Sequence, residues 1–246
     1  METDVLLWFA AGWVFGGFVN GVTGFGAAMA AMPLVSLGMG MNIAVPANSL
    51  MVLVVSLYQG WRYRRSADWG RVMPVLVGAV PGALLGSFAW RVLPVQYMRP
   101  ALGLFLIAYT CWGFSQKNAL GTVVRRGWGY VAGFFATTFG AAFSFNGPPL
   151  AIYTSLSGWG KDASRAGLGV FSATTSLMMV LGQGLAGMHG VHTLLAMLVG
   201  IPGGLVGVYA GVRVSRNMNN AVYQRLLFCF IGLSGAVIFV QGMRAL

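Results

Sequence analysis

Charged residues are scarce in this chain: they make up 8% of its 246 residues, whereas 57% are hydrophobic. Soluble domains usually carry about 25% charged residues, so this chain could not cover a surface that faces water. Lipid suits such a composition better, and a helix needs about 20 predominantly apolar residues to cross a bilayer core. Because the backbone polar groups must be satisfied inside lipid, we predict an all-α integral membrane protein.

Acidic residues are the rarest charged class, with four Asp and Glu against fifteen Lys and Arg. Apart from Asp4 near the N-terminus, the apolar segments hold no carboxylate, and the chain contains no HExxH, GxSxG or paired-acid pattern. Asp68 lies in a basic loop and Asp162 follows Lys161, so each is expected to form a solvated ion pair. These absences argue against an enzyme, and we expect no cofactor and no metal.

Cysteine and histidine occur only twice each. Cys111 and Cys229 fall inside apolar segments, which predicts core residues and no disulfide framework. His189 and His192 stand close together near a segment boundary, which favours an interfacial position over a ligand or proton-relay role. The basic residues are scattered between apolar segments, which suits lipid headgroups and argues against nucleic acid as a partner.

The charge-poor stretches predict about eight transmembrane segments plus two short broken or re-entrant ones. The long segments are expected near residues 5–20, 43–60, 71–90, 98–116, 127–142, 163–184, 190–211 and 221–242. The short stretches lie at 24–40 and 143–157, and both contain glycine and proline.

A proline-glycine motif occurs twice, as PGALLG from Pro81 and as PGGLVG from Pro202, about 120 residues apart. Other landmarks recur at a similar distance: Gly17, Gly24 and Pro33 match Gly133, Gly140 and Pro149. Two fused halves of this kind are common in secondary transporters. We predict a first repeat over 1–118, a basic inter-repeat loop at 119–126 and a second repeat over 127–246.

The basic residues bear on the orientation of the repeats. Those around 62–71 and 117–126 are expected to be cytoplasmic. Eight simple crossings would then put the basic residues between 161 and 216 outside. One crossing more or fewer between the halves brings them inside, so inverted repeats are favoured over parallel ones.

Each repeat begins with a glycine-rich segment that does not read as one continuous helix. Glycine tolerates non-helical angles and proline removes a backbone donor, so both segments are expected to break. A break in lipid is tolerated where it lines a cavity, and two breaks at matching positions indicate a transport site. The expected site residues are Asn20, Thr23, Gly24, Phe25 and Gly26 in the first repeat, and Ser144, Asn146, Gly147, Pro148 and Pro149 in the second.

Helix ends at these breaks would suit an anion. A helix N-terminus carries about half a positive charge, so two such ends attract a monoanion without any Lys or Arg. Arg165, which follows the second break, has two interpretations: snorkelling to the interface, or an electropositive vestibule. Tyr153 is expected either to donate its hydroxyl to the ligand or to lie in an interfacial belt. For Pro81-Gly82 and Pro202-Gly203 we expect helix packing instead.

At these residues the chain resembles the sulfite exporter TauE/SafE family, also called the 4-toluene sulfonate uptake permease family. The resemblance covers about residues 10 to 242. It is carried by Gly24-Phe25-Gly26 to Met32-Pro33-Leu34, Ala44 to Ser49 and Pro81-Gly82 to Gly86, and then by Asn146-Gly147-Pro148-Pro149-Leu150, Tyr153, Arg165 and Pro202-Gly203.

The resemblance implies a secondary transporter of a small sulfur-containing anion, such as sulfite, thiosulfate, a sulfonate or a similar organosulfur compound. Together with the duplication, it predicts alternating access in the bacterial plasma (inner) membrane, at a midplane site between the two repeats. It leaves open H⁺ or Na⁺ as the coupling ion, a homodimer as the assembly, and import or export as the direction. The alternative is a non-transporting membrane scaffold or assembly subunit, which would explain the glycine packing equally well.

Overall fold

The structure, a computed structural model, describes residues 3–92, 95–115, 125–143, 147–185 and 187–243. In these ranges it consists of ten α-helices and one short 3-10 turn, without strands. The helices are α1 (Thr3–Thr23), α2 (Ala27–Gly38), α3 (Met41–Arg62), α4 (Trp69–Val92), α5 (Val95–Ser115), α6 (Trp128–Phe143), α7 (Gly147–Leu156), α8 (Lys161–Leu185), α9 (Val191–Arg216) and α10 (Asn220–Met243). The all-α prediction is confirmed.

The helices follow the predicted segments closely. Within the described part of the chain, α1, α3, α8, α9 and α10 are long and apolar enough to cross a membrane. The two short predicted stretches correspond to α2 and α7, which have 12 and 10 residues. Pro148 and Pro149 fall in the first turn of α7, where a missing backbone N–H costs no helical hydrogen bond.

The chain forms two compact units, and each draws on both halves of the sequence. Unit 1 comprises Met1–Ser66 and Arg165–Met218, and so contains α1, α2, α3, most of α8, and α9. Unit 2 comprises Ala67–Ser164 and Asn219–Leu246, and contains α4, α5, α6, α7 and α10.

In unit 1, α1 and α9 pack closely along their length. A side chain on Gly17 would collide with the backbone of Gly204, and one on Gly21 with that of Val208. These matched positions advance together along both helices, so α1 and α9 run parallel. Without side chains between them the two backbones approach closely, which maximises van der Waals contact in lipid. The buried core of unit 1 lies beside this pair and includes Trp13.

In unit 2, α4 and α6 form a second parallel pair. Side chains on Gly78 and Gly82 would collide with the carbonyl oxygens of Tyr130 and Phe134. The packing interpretation of the proline-glycine motif is confirmed here, since Gly82 is its first glycine. The second copy behaves alike within unit 1, where a Cβ on Gly203 would lie 2.9 Å from the carbonyl oxygen of α1 residue Ala10.

The remaining sequence predictions have mixed outcomes. Cys111 and Cys229 are exposed on the protein surface, so the prediction that they are core residues is wrong. The reason is that a lipid-facing surface is as apolar as a core, and hydrophobicity cannot tell the two apart. Asp68 does form an ion pair, with its Oδ2 3.1 Å from Nε of Arg71. His192 is exposed at the start of α9, as expected of an interfacial residue.

Candidate functional site

The first predicted break is a sharp turn between α1 and α2 in unit 1. Gly24 and Gly26 have φ of +94° and +81°, a left-handed conformation that side chains rarely adopt. The Thr23 hydroxyl supports the turn, lying 2.9 Å from the carbonyl oxygen of Val19 and 2.8 Å from that of Phe25. The glycines therefore end α1 at Thr23 and let α2 begin at Ala27.

Ending α1 leaves carbonyl groups of its last turn without helical partners, although that of Asn20 still accepts the Gly24 N–H at 2.7 Å. Side chains from other helices of unit 1 donate to three of them. The Gln59 amide of α3 lies 3.4 Å from the oxygen of Asn20, the Ser215 hydroxyl of α9 lies 3.4 Å from that of Gly21, and the Arg165 guanidinium of α8 lies 2.8 Å from that of Val22. The break between α1 and α2 is thus contacted by α3, α8 and α9.

Arg165 brings a full positive charge to this junction. Its side chain is 1% exposed, and the guanidinium carbon lies 5.7 Å from the centre of the Tyr63 ring. A Cβ on Gly24 would lie 3.2 Å from Cγ of Arg165, so the turn rests directly against this side chain. The snorkelling interpretation of Arg165 is therefore wrong, because the guanidinium points inward to α1 and not out to an interface.

The first break lies near one end of the unit 1 helices and not halfway along them. Gln59 is in the last turn of α3, Ser215 is in the last turn of α9, and Arg165 is in the second turn of α8. The break therefore lies at one end of these helices, and the midplane site between the two repeats stays a prediction. The same end carries Arg62 and Arg216.

The electrostatics of the break favour an anion. The C-terminus of α1 and the N-terminus of α2 carry opposite partial charges of about half a unit each, which largely offset one another. Arg165 adds its own positive charge to these partial charges. The predicted source of charge, helix ends without any Lys or Arg, is therefore incomplete at this break.

There is space further along the same turn, at Gly26. A Cβ on Gly26 would have Val19 as its nearest neighbour within 4 Å, at 3.9 Å. The first N–H groups of α2, from Ala27 onward, have no partner within the helix and follow directly after Gly26. A small anion could accept hydrogen bonds from them.

The second predicted break belongs to unit 2. Ser144 and Asn146 lie outside the described residues. Gly147, Pro148 and Pro149 form the start of α7, and Tyr153 is buried further along that helix, with its ring edge-on to Trp159 at 5.9 Å. The buried position of Tyr153 makes an interfacial belt the poorer of its two predicted roles.

The structure thus divides the predicted site residues between the two units. Asn20, Thr23, Gly24, Phe25, Gly26 and Arg165 come together in unit 1. Sequence reasoning missed Gln59 and Tyr63. Gln59 had a usable signal, since a polar side chain inside an apolar segment is rare and often functional.

A chain of long apolar helices, with a break where one buried arginine meets freed backbone groups, has the characteristics of a membrane transporter. The chain matches the family model described as "Sulfite exporter TauE/SafE" over residues 9–238. It therefore belongs to the sulfite exporter TauE/SafE family, whose members are membrane transporters of sulfur anions and not enzymes. Comparisons with curated proteins and with solved structures find no match.

Proposed function

We propose that the protein is a secondary transporter that moves a small sulfur-containing anion across the bacterial inner membrane by alternating access. Sulfite, thiosulfate, a sulfonate or a similar organosulfur anion is the substrate class. The observation that carries this proposal is the buried Arg165 side chain, which lies against Gly24 in the same turn that has open space at Gly26. A buried cation in the same turn as the first N–H groups of α2 attracts an anion.

Capping of α1 alone does not require an arginine. The two neighbouring carbonyl oxygens accept hydrogen bonds from the neutral side chains of Gln59 and Ser215. A charge buried among apolar helices costs several kcal/mol more than a neutral donor does. We infer that the charge of Arg165 is retained for the substrate, while its bond to Val22 holds it in place.

The exchange of helices between the two halves supports the proposed duplication. The first helix of the first half, α1, pairs in parallel with α9, the fourth helix of the second half. In the other unit, the first helix of the second half, α6, pairs in parallel with α4, the fourth helix of the first half. Two repeats that exchange equivalent helices explain both pairs at once.

The basic residues support an inverted arrangement of these repeats. In unit 1 the basic end is where α1 stops, since Arg165 lies at its last turn. In unit 2 the basic end is where α6 starts, since a Cβ on Gly70 would lie 3.3 Å from Nη1 of Arg126. If both basic ends are cytoplasmic, α1 ends on the cytoplasmic side, whereas α6 begins there.

The short helix α7 fits this arrangement as part of a re-entrant hairpin. Nη1 of Arg71 lies 3.4 Å from the carbonyl oxygen of Ser157, so α7 ends at the same end of unit 2 at which α6 starts. A hairpin that returns to its own side changes the number of crossings between the halves. It thereby places Lys161 on the basic, cytoplasmic side.

Transport is tested with purified protein in liposomes. We expect uptake of sulfite that depends on an imposed H⁺ or Na⁺ gradient, and the gradient that drives it identifies the coupling ion. Protein-free liposomes serve as the control. Absence of uptake for sulfite, thiosulfate and methanesulfonate under every gradient would contradict the proposal.

The scaffold alternative is tested by binding. A transporter with this site should melt at a higher temperature in detergent when sulfite or methanesulfonate is added, because a ligand that binds only the folded state stabilises it. A scaffold would show no shift with any anion of the panel. Chloride at equal ionic strength controls for the effect of salt.

A further inference from the structure

Helices α3 and α8 of unit 1 run in opposite directions and contact each other at separate points. They meet at three levels: Arg165 lies over the Tyr63 ring, a Cβ on Gly169 would lie 2.9 Å from the nitrogen of Gly60, and the Gln183 amide nitrogen lies 3.0 Å from the Ser49 hydroxyl. As the residue number rises on α8, it falls on α3. The contact therefore runs from the end near Arg165 to the other end of both helices.

Polar side chains recur along both helices, on or beside the faces that make these contacts. The polar stripe consists of Asn48, Ser49, Ser56 and Gln59 on α3 and of Arg165, Ser172, Ser176 and Gln183 on α8. Intervals of 7, 4 and 7 residues on α8 place its four members on one helix face. All are buried except Gln183, which is partly buried.

The stripe is long enough to cross a membrane. From Arg165 to Gln183 the helix rises by about 27 Å, at about 1.5 Å per residue. The hydrocarbon core of a bilayer is about 30 Å thick. Polar groups thus follow each other from one end of α8 almost to the other.

Four polar atoms of the stripe have no hydrogen-bond partner among the described residues. They are Oδ1 of Asn48, Oγ of Ser56, Oε1 of Gln59 and Oε1 of Gln183. A buried polar group left without a partner destabilises the folded protein. Serines and amides that only hold helices together would be satisfied by each other or by their own helix, as the Ser49 hydroxyl is by the carbonyl oxygen of Val45 at 3.2 Å.

Water is the partner that fits all four atoms, since it donates to carbonyl oxygens and bonds to hydroxyls in either sense. We infer that the polar stripe between α3 and α8 lines a hydrated route by which a small sulfur oxyanion passes through unit 1. Its neutral hydroxyl and amide groups replace hydration without trapping the ion. Arg165 draws the anion to one mouth. The inference rests on the proposed transport function.

Cysteine accessibility tests the route. The exposed native cysteines are first replaced, as Cys111→Ser and Cys229→Ser. Ser56→Cys and Ser176→Cys then each place a thiol on the stripe, with almost no change in side-chain volume. Their matched controls are the next residues, Leu57→Cys and Leu177→Cys, whose native side chains are 55% and 47% exposed on the outer surface of the protein.

The probe is a negatively charged methanethiosulfonate, which reacts with thiolates in water and does not enter lipid. We expect it to label the two stripe positions at least tenfold faster than the two control positions. Sulfite should slow the labelling of the stripe, and labelled protein should lose most of its uptake. Labelling of Ser56→Cys and Ser176→Cys no faster than their neighbours, with or without a gradient, would overturn the inference.

The labelling experiment does not depend on transport and so separates the two proposals. Uptake of sulfite by a protein whose stripe stays unlabelled refutes the route and leaves the proposed function standing. A labelled stripe in a protein that carries no sulfur anion supports the hydrated route, while the proposed function fails.

Discussion

At the scale of single residues, Arg165 combines three roles. Its guanidinium bonds the end of α1, its aliphatic part supports Gly24, and it supplies the positive charge of the break. The structural and the binding role can be separated only by substitutions that change one of them at a time. Lysine keeps the charge but offers no planar fork, whereas methionine keeps the length and loses the charge.

Arg165→Met should weaken anion binding by about 10- to 150-fold, since a hydrogen bond to a charged group is worth about 1.5–3 kcal/mol. Arg165→Lys should retain part of the affinity. Kd from calorimetry with sulfite in detergent measures this effect. Size-exclusion profiles check that both variants remain folded, and equal Kd for methionine and wild type would exclude Arg165 from the site.

The two glycines of the break offer a matched pair. Gly24→Ala and Gly26→Ala both place a side chain in left-handed backbone, at a cost of about 1–2 kcal/mol each. Only at Gly24 does the new methyl press on Arg165, at 3.2 Å. We expect similar losses of melting temperature in both variants, but loss of sulfite uptake mainly in Gly24→Ala.

The opposite ranking of uptake would show that the contact between Gly24 and Arg165 is unimportant.

The role predicted for Asn146 in the second break can be tested in the same assay. Asn146→Leu is expected to abolish uptake while the protein stays folded.

At the scale of helices, the glycine contacts between α1 and α9 hold unit 1 together. Gly207→Ala should destabilise the protein by about 1–3 kcal/mol, because its methyl would collide with the carbonyl oxygen of Val14. Gly182→Ala on α8 is the control, since it has open space within 4 Å. Thermal unfolding in detergent should show a lower midpoint for Gly207→Ala and an unchanged or higher one for Gly182→Ala.

The sequence predicted the helices well and their packing poorly. Apolar length and glycine or proline interruptions are local properties, so the limits of α2, α7 and the long helices followed from them. The burial of Arg165 did not, because its neighbours Val22 and Tyr63 lie more than 100 residues away in the chain. The hydrophobic pattern also predicted a core position for Cys111 and Cys229, which are exposed, because lipid-facing and core segments are equally apolar.

At the scale of the whole molecule, the proposed topology makes a direct prediction. Gly160 precedes α8 at the basic end of unit 2, and Gly190 precedes α9, whose last turn is at the basic end of unit 1. Both have open space for a larger side chain. In a protein without native cysteines, Gly160→Cys should react with an impermeant thiol reagent from the cytoplasmic side, and Gly190→Cys from the other.

The measurement uses whole cells and inside-out vesicles in parallel. Labelling of Gly160→Cys from outside and of Gly190→Cys from the cytoplasmic side, as eight simple crossings require, would contradict the inverted arrangement. The two repeats themselves, over 1–118 and 127–246, stay a prediction. The compact units do not coincide with them, because residues far apart in sequence complete each unit.

The pairing of α1 with α9 also fixes an order of events during synthesis. The ribosome makes Gly17 and Gly21 first, and their partners Gly204 and Val208 only near the end of the chain. Until then α1 sits in the membrane with its glycine face against lipid or against the insertion machinery. Unit 1 therefore cannot assemble before nearly the whole protein has been made. A fragment that stops after the first half lacks α9, the helix against which α1 packs.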